Sequence, residues 1–165
     1  MLEAMVGRKG KGKTLLTRNL IQQRSYDKVF ILDYLGEYNY LASENVHVDT
    51  YRNPEDLTEF CRNAWNNCSR QTKTLIVFDE IHQYGKNSWE ISWLFRFSRH
   101  GNLDIICCSH RFVDFPMALR SLVDVYHVFQ IREPRDIKFL SEFVSPVFLK
   151  VVMNLQPLEY VDLKI

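Results

Sequence analysis

The sequence has no excess of charge of either sign. Twenty-one Lys and Arg stand against 20 Asp and Glu, a formal net charge of +1 over 165 residues. That excludes a global basic field, so any nucleic-acid contact has to come from local patches or from a ring of subunits. No apolar run approaches the ~20 residues of a membrane span, and no signal peptide is visible. The expectation is a soluble, intracellular protein that is not itself transmembrane. No repeat, linker or low-complexity segment appears, and the length suits a single domain, residues 1–165. There is no C-x-x-C pair among Cys61, Cys68, Cys107 and Cys108, so the cysteine spacing gives no support for zinc. Cys61 and Cys68 fall on the apolar face of one predicted helix, and Cys107 and Cys108 end a predicted strand. They read as buried reduced thiols, which fits a reducing compartment.

What is present starts near the N-terminus. Gly7-Arg8-Lys9-Gly10-Lys11-Gly12-Lys13-Thr14 fits G-x-x-x-x-G-K-S/T, the phosphate-cradling P-loop. An apolar run, Leu2 to Val6, precedes it and predicts a short buried strand. A helical pattern, Leu15-Leu16 then Leu20-Ile21, follows it. Strand, glycine loop and helix N-terminus are the context the motif requires. Glycines let backbone N–H groups approach phosphate oxygens, and the positive end of the helix dipole adds to the attraction. Lys13 would reach the β- and γ-phosphates of ATP, and the Thr14 hydroxyl would ligate Mg²⁺. Arg8, Lys9 and Lys11 are solvated loop charges on the simplest reading, or help to hold polyphosphate or DNA.

Five further strands are predicted before the C-terminus: Lys28 to Leu32, Val46 to Tyr51, Thr74 to Phe78, Leu103 to Cys108 and Val125 to Ile131. Asp33 stands at a strand's carboxyl end, where ligands gather in open α/β sheets, and Gly36-Glu37-Tyr38 follows. Thr74-Leu75-Ile76-Val77-Phe78 reads as a strand buried on both faces, ending in Asp79-Glu80. Burying unpaired carboxylates there would be costly unless a metal or ligand compensates. Downstream of a P-loop, Asp79 is the expected Mg²⁺ ligand and Glu80 the residue that polarises a water against the γ-phosphate.

Asn53-Pro54-Glu55-Asp56 is a helix start. Asn87 with Glu90 reads as a capping box for a helix running to His100. On that helix Ile91, Leu94 and Phe95 form one apolar face and Trp89, Trp93 and Phe97 a second, so it is expected to be mostly buried. Arg96 and Arg99 share the remaining face. They form a solvated basic stripe, or offer an arginine to a neighbouring subunit's nucleotide. Ser109-His110-Arg111 ends the next strand. Asp114 is expected to cap a short helix, another helix runs from about Asp136 to Val144, and Pro146 forces a break. Val147 to Met153 is a further apolar helix or packing segment. Glu159 to Ile165 alternates as an edge strand would. Lys86, in the turn after Tyr84, is a candidate DNA contact.

Taken together, the P-loop, Asp33-x-x-Gly36-Glu37-Tyr38, Asp79-Glu80, the arginine-bearing helix and the stretch Asp104 to Arg111 resemble the FtsK/HerA superfamily of DNA-pumping ATPases. The chain looks most like the compact genome-packaging ATPases of membrane-containing icosahedral viruses. The resemblance implies an α/β, RecA-like P-loop fold, a mainly parallel central sheet flanked by helices. It also implies ATP-driven movement of double-stranded DNA by a homo-oligomeric ring, hexamer or pentamer. Such a ring would dock at a capsid vertex or a membrane protein, in the host cytoplasm or on the virion. Catalytic roles would fall to Lys13, Glu80, His110 and Arg99, with Asp33, Glu37, Arg96, Ser109 and Arg111 as further site candidates. One departure stands out: the family usually places Gln where this chain has His110. The competing functions are a nucleotide-regulated scaffold for virion assembly or export and a small-molecule P-loop kinase.

Overall fold

The computed structural model describes residues 1–51, 53–84 and 89–164, except the side chains of residues 54 and 99. Seven strands form one sheet, in the order β3-β2-β4-β5-β1-β6-β7. In chain order they are β1 (Leu2–Val6), β2 (Lys28–Asp33), β3 (Val46–Thr50), β4 (Thr74–Phe78), β5 (Leu103–Ser109), β6 (Val125–Phe129) and β7 (Tyr160–Lys164). All neighbours are parallel except β6 and β7. Parallel pairing sends the ends of β1, β2, β4 and β5 to the same edge. The glycine loop, Asp33, Asp79-Glu80 and Ser109-His110-Arg111 therefore converge there. Because β5 lies between β1 and β4, His110 emerges between the loop and the acid pair.

β1 and β4 are buried along their whole length, as strands covered on both faces must be. Pleating still sorts their side chains. Leu2, Ala4, Val6, Phe30, Leu32, Ile76 and Phe78 face a large core together with α2 (Pro54–Asn66), α3 (Trp89–Phe97), α5 (Pro134–Ser141) and α6 (Pro146–Asn154). Met5, Val29, Ile31, Leu75, Val77, Ile106 and Cys108 face the other way, toward α1 (Lys13–Gln23). α1 buries Lys13, Thr17 and Ile21, four residues apart, and Thr17 Oγ1 donates to Lys13 O and lies against Met5 Sδ and Cys108 Sγ.

The N-terminal run is not wholly apolar. Glu3 sits inside β1, 2% exposed, paired with Arg24 at the end of α1 and with His127 on β6. Burial alone would raise its pKa, but the hydrogen bonds from His127 and Arg24 outweigh it and hold Glu3 at about 2. The other nitrogen of His127 lies 2.7 Å from Asp162 on β7. One polar chain thus ties α1, β1, β6 and the antiparallel edge strand.

Several local expectations need correction. The helix expected to reach His100 ends at Phe97 and tightens into a 3₁₀ turn, Ser98–His100, where Ser98 Oγ bonds Phe95 O. Its second apolar face is not packed away: Trp93 meets Trp65, but Trp89 is 68% and Phe97 42% exposed. Asp114 does not cap α4 (Met117–Arg120), which starts after Pro116 without a side-chain cap. The expected break at Pro146 is present: α5 ends at Ser141 and Pro146 opens α6, with Ser145 accepting from the Phe148 N–H. Cys68 lies just beyond α2, its thiol against Ala64 O, and all four cysteines are free. Asn87, the cap of the expected capping box with Glu90, and Lys86 fall outside the described residues.

Candidate active site

The loop is shaped by close approach as much as by rotation. A Cβ on Gly7 would stand 2.5 Å from Phe129 Cβ, and one on Gly12, whose φ is +111°, would stand 2.9 Å from Leu158 Cδ2. Leu158 also donates its N–H to Lys11 O, so the turn before β7 is fastened onto the loop. Lys13 is only 6% exposed, its ammonium donating to Gly7 O at 2.8 Å and Arg8 O at 3.4 Å. It spans the ring of the loop, where it would meet phosphate oxygens. Arg8 and Lys9 are exposed and Lys11 half-buried. The loop borders a cleft of about 320 Å³ that Thr14, Glu37, Glu80, His110 and Leu158 also line.

Asp33 and Glu37 divide their work. The buried Asp33 carboxylate accepts from the N–H groups of Leu35, Gly36, Glu37 and Tyr38 at 2.8–3.2 Å. With four bonds satisfied it shapes the loop and has no role left for a ligand. Gly36, at φ +76°, completes the turn. That turn sets Glu37 over the nucleotide loop, where Thr14 Oγ1 donates to its carboxylate at 2.8 Å.

The acids after β4 are both buried, Asp79 at 2% and Glu80 at 4% exposure. Asp79 N–H donates to Leu32 O and continues the β2–β4 ladder, while its Oδ2 has no hydrogen-bond partner. Burial, then the neighbouring charges of Glu80, Asp33 and Glu37, push Asp79 up to about 7. Glu80 adopts φ +50°, a left-handed backbone that costs a non-glycine residue about 1–3 kcal/mol and turns the chain sharply out of the strand. Burial pushes its carboxyl up to about 7 as well. Glu80 Oε1 lies 2.7 Å from His110 Nε2, and Oε2 lies 3.5 Å from His82 Nδ1. Burial, followed by Lys13 and His82, holds His110 down at about 4, so a hydrogen bond to a neutral imidazole holds the pair.

Other sequence candidates fall differently. Ser109 is buried and its hydroxyl donates to Arg111 O, which fixes the turn after β5. Arg111 is committed to Asp136 at 3.3 Å within its own chain. Arg96 is exposed on α3; the side chain of Arg99 lies outside the described residues. His82 and Leu158 were not singled out by the sequence. His82 stands two positions past Glu80, and only the 3₁₀ turn Ile81–Tyr84 brings it back beside that carboxylate. Leu158 belongs to a segment remote in sequence and matches no motif.

A cleft between the glycine loop at the amino end of α1 and the buried Glu80, whose Oε2 is unbonded, places this chain among the P-loop ATPases. Within that class it belongs to the Poxvirus A32 protein family, whose model matches residues 2–150. Among solved structures, it is similar to the genome packaging NTPase B204 of Sulfolobus turreted icosahedral virus 2. The ATP-γ-S complex of that protein superposes with a TM-score of 0.81 at 20% identity, over 99% of this chain and 91% of that one. The AMPPCP complex gives 0.83 at 19%, with the same coverage. The type III secretion ATPase EscN of enteropathogenic E. coli is more distant, at 0.57 and 14%, over 86% of this chain and 45% of that one. At these identities the likeness is one of fold. No curated protein sequence matches the chain.

Proposed function

We propose that this chain is an ATP-hydrolysing motor that moves double-stranded DNA into a viral capsid, working as a homo-oligomeric ring. Membership of the Poxvirus A32 protein family and the shared fold with B204, a genome packaging NTPase, support the reading. The observation that carries hydrolysis is Glu80, a buried carboxyl group at the mouth of the nucleotide cleft, held by His110 rather than by a cation.

The residues present fit ATP and Mg²⁺. Gly7 and Gly12 let the loop lie close against Phe129 and Leu158, and a Cβ on Gly10 would meet nothing within 4 Å, so the loop's backbone is open to a ligand there. Thr14 and Asp79 offer hydroxyl and carboxylate oxygens, the donors magnesium prefers, and the orphaned Asp79 Oδ2 is a buried group in need of a partner. Bound Mg²⁺ would neutralise phosphate charge. Thr14 can go on donating its proton to Glu37 while a lone pair of the same hydroxyl oxygen is offered to Mg²⁺. Lys13 exchanges the loop carbonyls for phosphate oxygens. Glu80, freed from His110, accepts the proton of a water aimed at the γ-phosphate. His110 steers that carboxylate and stands where it can donate to the phosphate or to the water. Arg99, Arg96 or the more committed Arg111 would add a cation from the neighbouring subunit.

The test is the steady-state ATPase rate with and without linear double-stranded DNA. A motor is expected to hydrolyse ATP faster on DNA, and a Lys13→Ala variant to lose turnover in both conditions. ATP binding with no stimulation by DNA would favour a nucleotide-regulated assembly scaffold instead.

A further inference from the structure

We infer that Glu80, His82 and His110 form a site for a divalent transition metal of the zinc type, and that its occupancy switches hydrolysis off. One ligand atom from each of the three lies within 4.8 Å of the other two. Two imidazoles and a carboxylate are a donor set that zinc takes and that magnesium, a hard ion seeking oxygen, does not. Zinc would therefore leave the magnesium position at Thr14 and Asp79 alone.

An independent observation supports a ligand here. Glu80 Oε2 and His82 Nδ1 are both buried and both lack a hydrogen-bond partner. They face each other at 3.5 Å. Two tetrahedral zinc ligands with bonds of about 2.0–2.1 Å stand about 3.4 Å apart, so this pair already has the spacing. His110 Nε2 is in place on the other oxygen, 2.7 Å from Oε1. Ligation displaces to solvent the proton shared by Glu80 and His110. The far nitrogen of His82 lies 3.0 Å from the Gln83 amide, which can turn its oxygen toward an Nε2 proton and fix the ring with Nδ1 toward the metal. Glu80 and His110 line the nucleotide cleft, so the fourth position opens to water.

A metal held this way takes up the carboxylate that is proposed to activate water, while the glycine loop stays free for nucleotide. The inhibitory consequence rests on that assignment of Glu80; the binding itself does not.

Calorimetry on the whole nucleotide-free protein is expected to show one equivalent of Zn²⁺ bound. Co²⁺ in its place is expected to give a spectrum without thiolate charge-transfer bands, which separates the site from the four cysteines. His82→Ala and His110→Gln are each expected to weaken Zn²⁺ by more than about a hundredfold, beyond the loss of an outer-sphere partner. Thermal melts establish that each variant is folded, and either one suffices. Absence of binding, a thiolate band, or undiminished affinity in a folded variant overturns the site. In the ATPase assay, Zn²⁺ far below the nucleotide concentration is expected to stop wild-type turnover without loss of nucleotide binding, and His82→Ala to resist it relative to its own zinc-free rate. Zinc bound at the triad with turnover unchanged would uphold the site and overturn the role given to Glu80.

Discussion

Asp79 and Glu80 are neighbours in sequence, yet the left-handed backbone at Glu80 separates their surroundings. Asp79 continues the ladder with an unbonded oxygen; Glu80 turns out between two histidines. Both carboxyls are raised to about 7, so the nucleotide-free fold keeps protons that the unfolded chain releases. Their contribution to stability is full below about pH 4 and is lost as pH climbs through about 7. Asp79→Asn removes one of these buried charges. It is expected to raise the melting temperature near pH 8, to flatten its fall from about pH 5, and to weaken Mg²⁺-dependent nucleotide binding. Melts across that range and nucleotide titrations with and without Mg²⁺ measure both effects. Glu80→Gln is expected to behave differently, keeping Mg²⁺-ATP bound while turnover falls about a hundredfold or more. If the two variants lose affinity alike and Glu80→Gln still turns over, the two roles are misassigned.

Among the elements, β7 matters beyond its position at the sheet edge. Its approach, through Leu158, closes over Gly12 and bonds Lys11 O. The strand itself is tied to the interior by Asp162, His127 and Glu3. His127 is raised despite its burial because Glu3 and Asp162 both stabilise its charged form. Loss of these bonds through His127→Gln is expected to cost about 1–3 kcal/mol. The local consequence is more telling: amide exchange in residues 160–164 should quicken, and nucleotide affinity should drop as the turn at Leu158 loosens from the loop. Unchanged exchange in β7 would show that its backbone pairing with β6 is sufficient alone.

For the whole molecule, a net charge of +1 means that the proposed DNA-moving role requires positive charge gathered locally and multiplied by assembly. An arginine supplied across a subunit boundary contributes about 10³-fold or more to turnover in related chemistry. ATPase activity is therefore expected to rise steeply with protein concentration. Two inactive proteins, Lys13→Ala and Arg99→Ala, are expected to regain partial activity when mixed, because some interfaces then pair an intact loop with an intact arginine. A mixture that stays inactive although both variants assemble, or an Arg99→Ala protein that is fully active alone, removes Arg99 from the interface.

The local code of this chain is plain in its sequence. Gly7 to Thr14 announces a phosphate loop because few other arrangements combine three glycines, a lysine and a hydroxyl between a strand and a helix. Asn53-Pro54 marks the start of α2 because its N-cap bond and fixed proline φ are set by adjacent residues. The parallel sheet was legible in the short apolar runs, and the acid pair in the cost of leaving two carboxylates at a buried strand end. Tertiary structure alone decided the rest, since those contacts join residues remote in sequence. Strand order brings His110 to Glu80, and the last turn lays Leu158 on the loop; His82 is near Glu80 in sequence, but no motif announces the 3₁₀ turn that folds it back beside that carboxylate. Glu3 is the clearest case. Sequence shows a charge inside an apolar strand, and only packing supplies the Arg24 and His127 that make its burial stable.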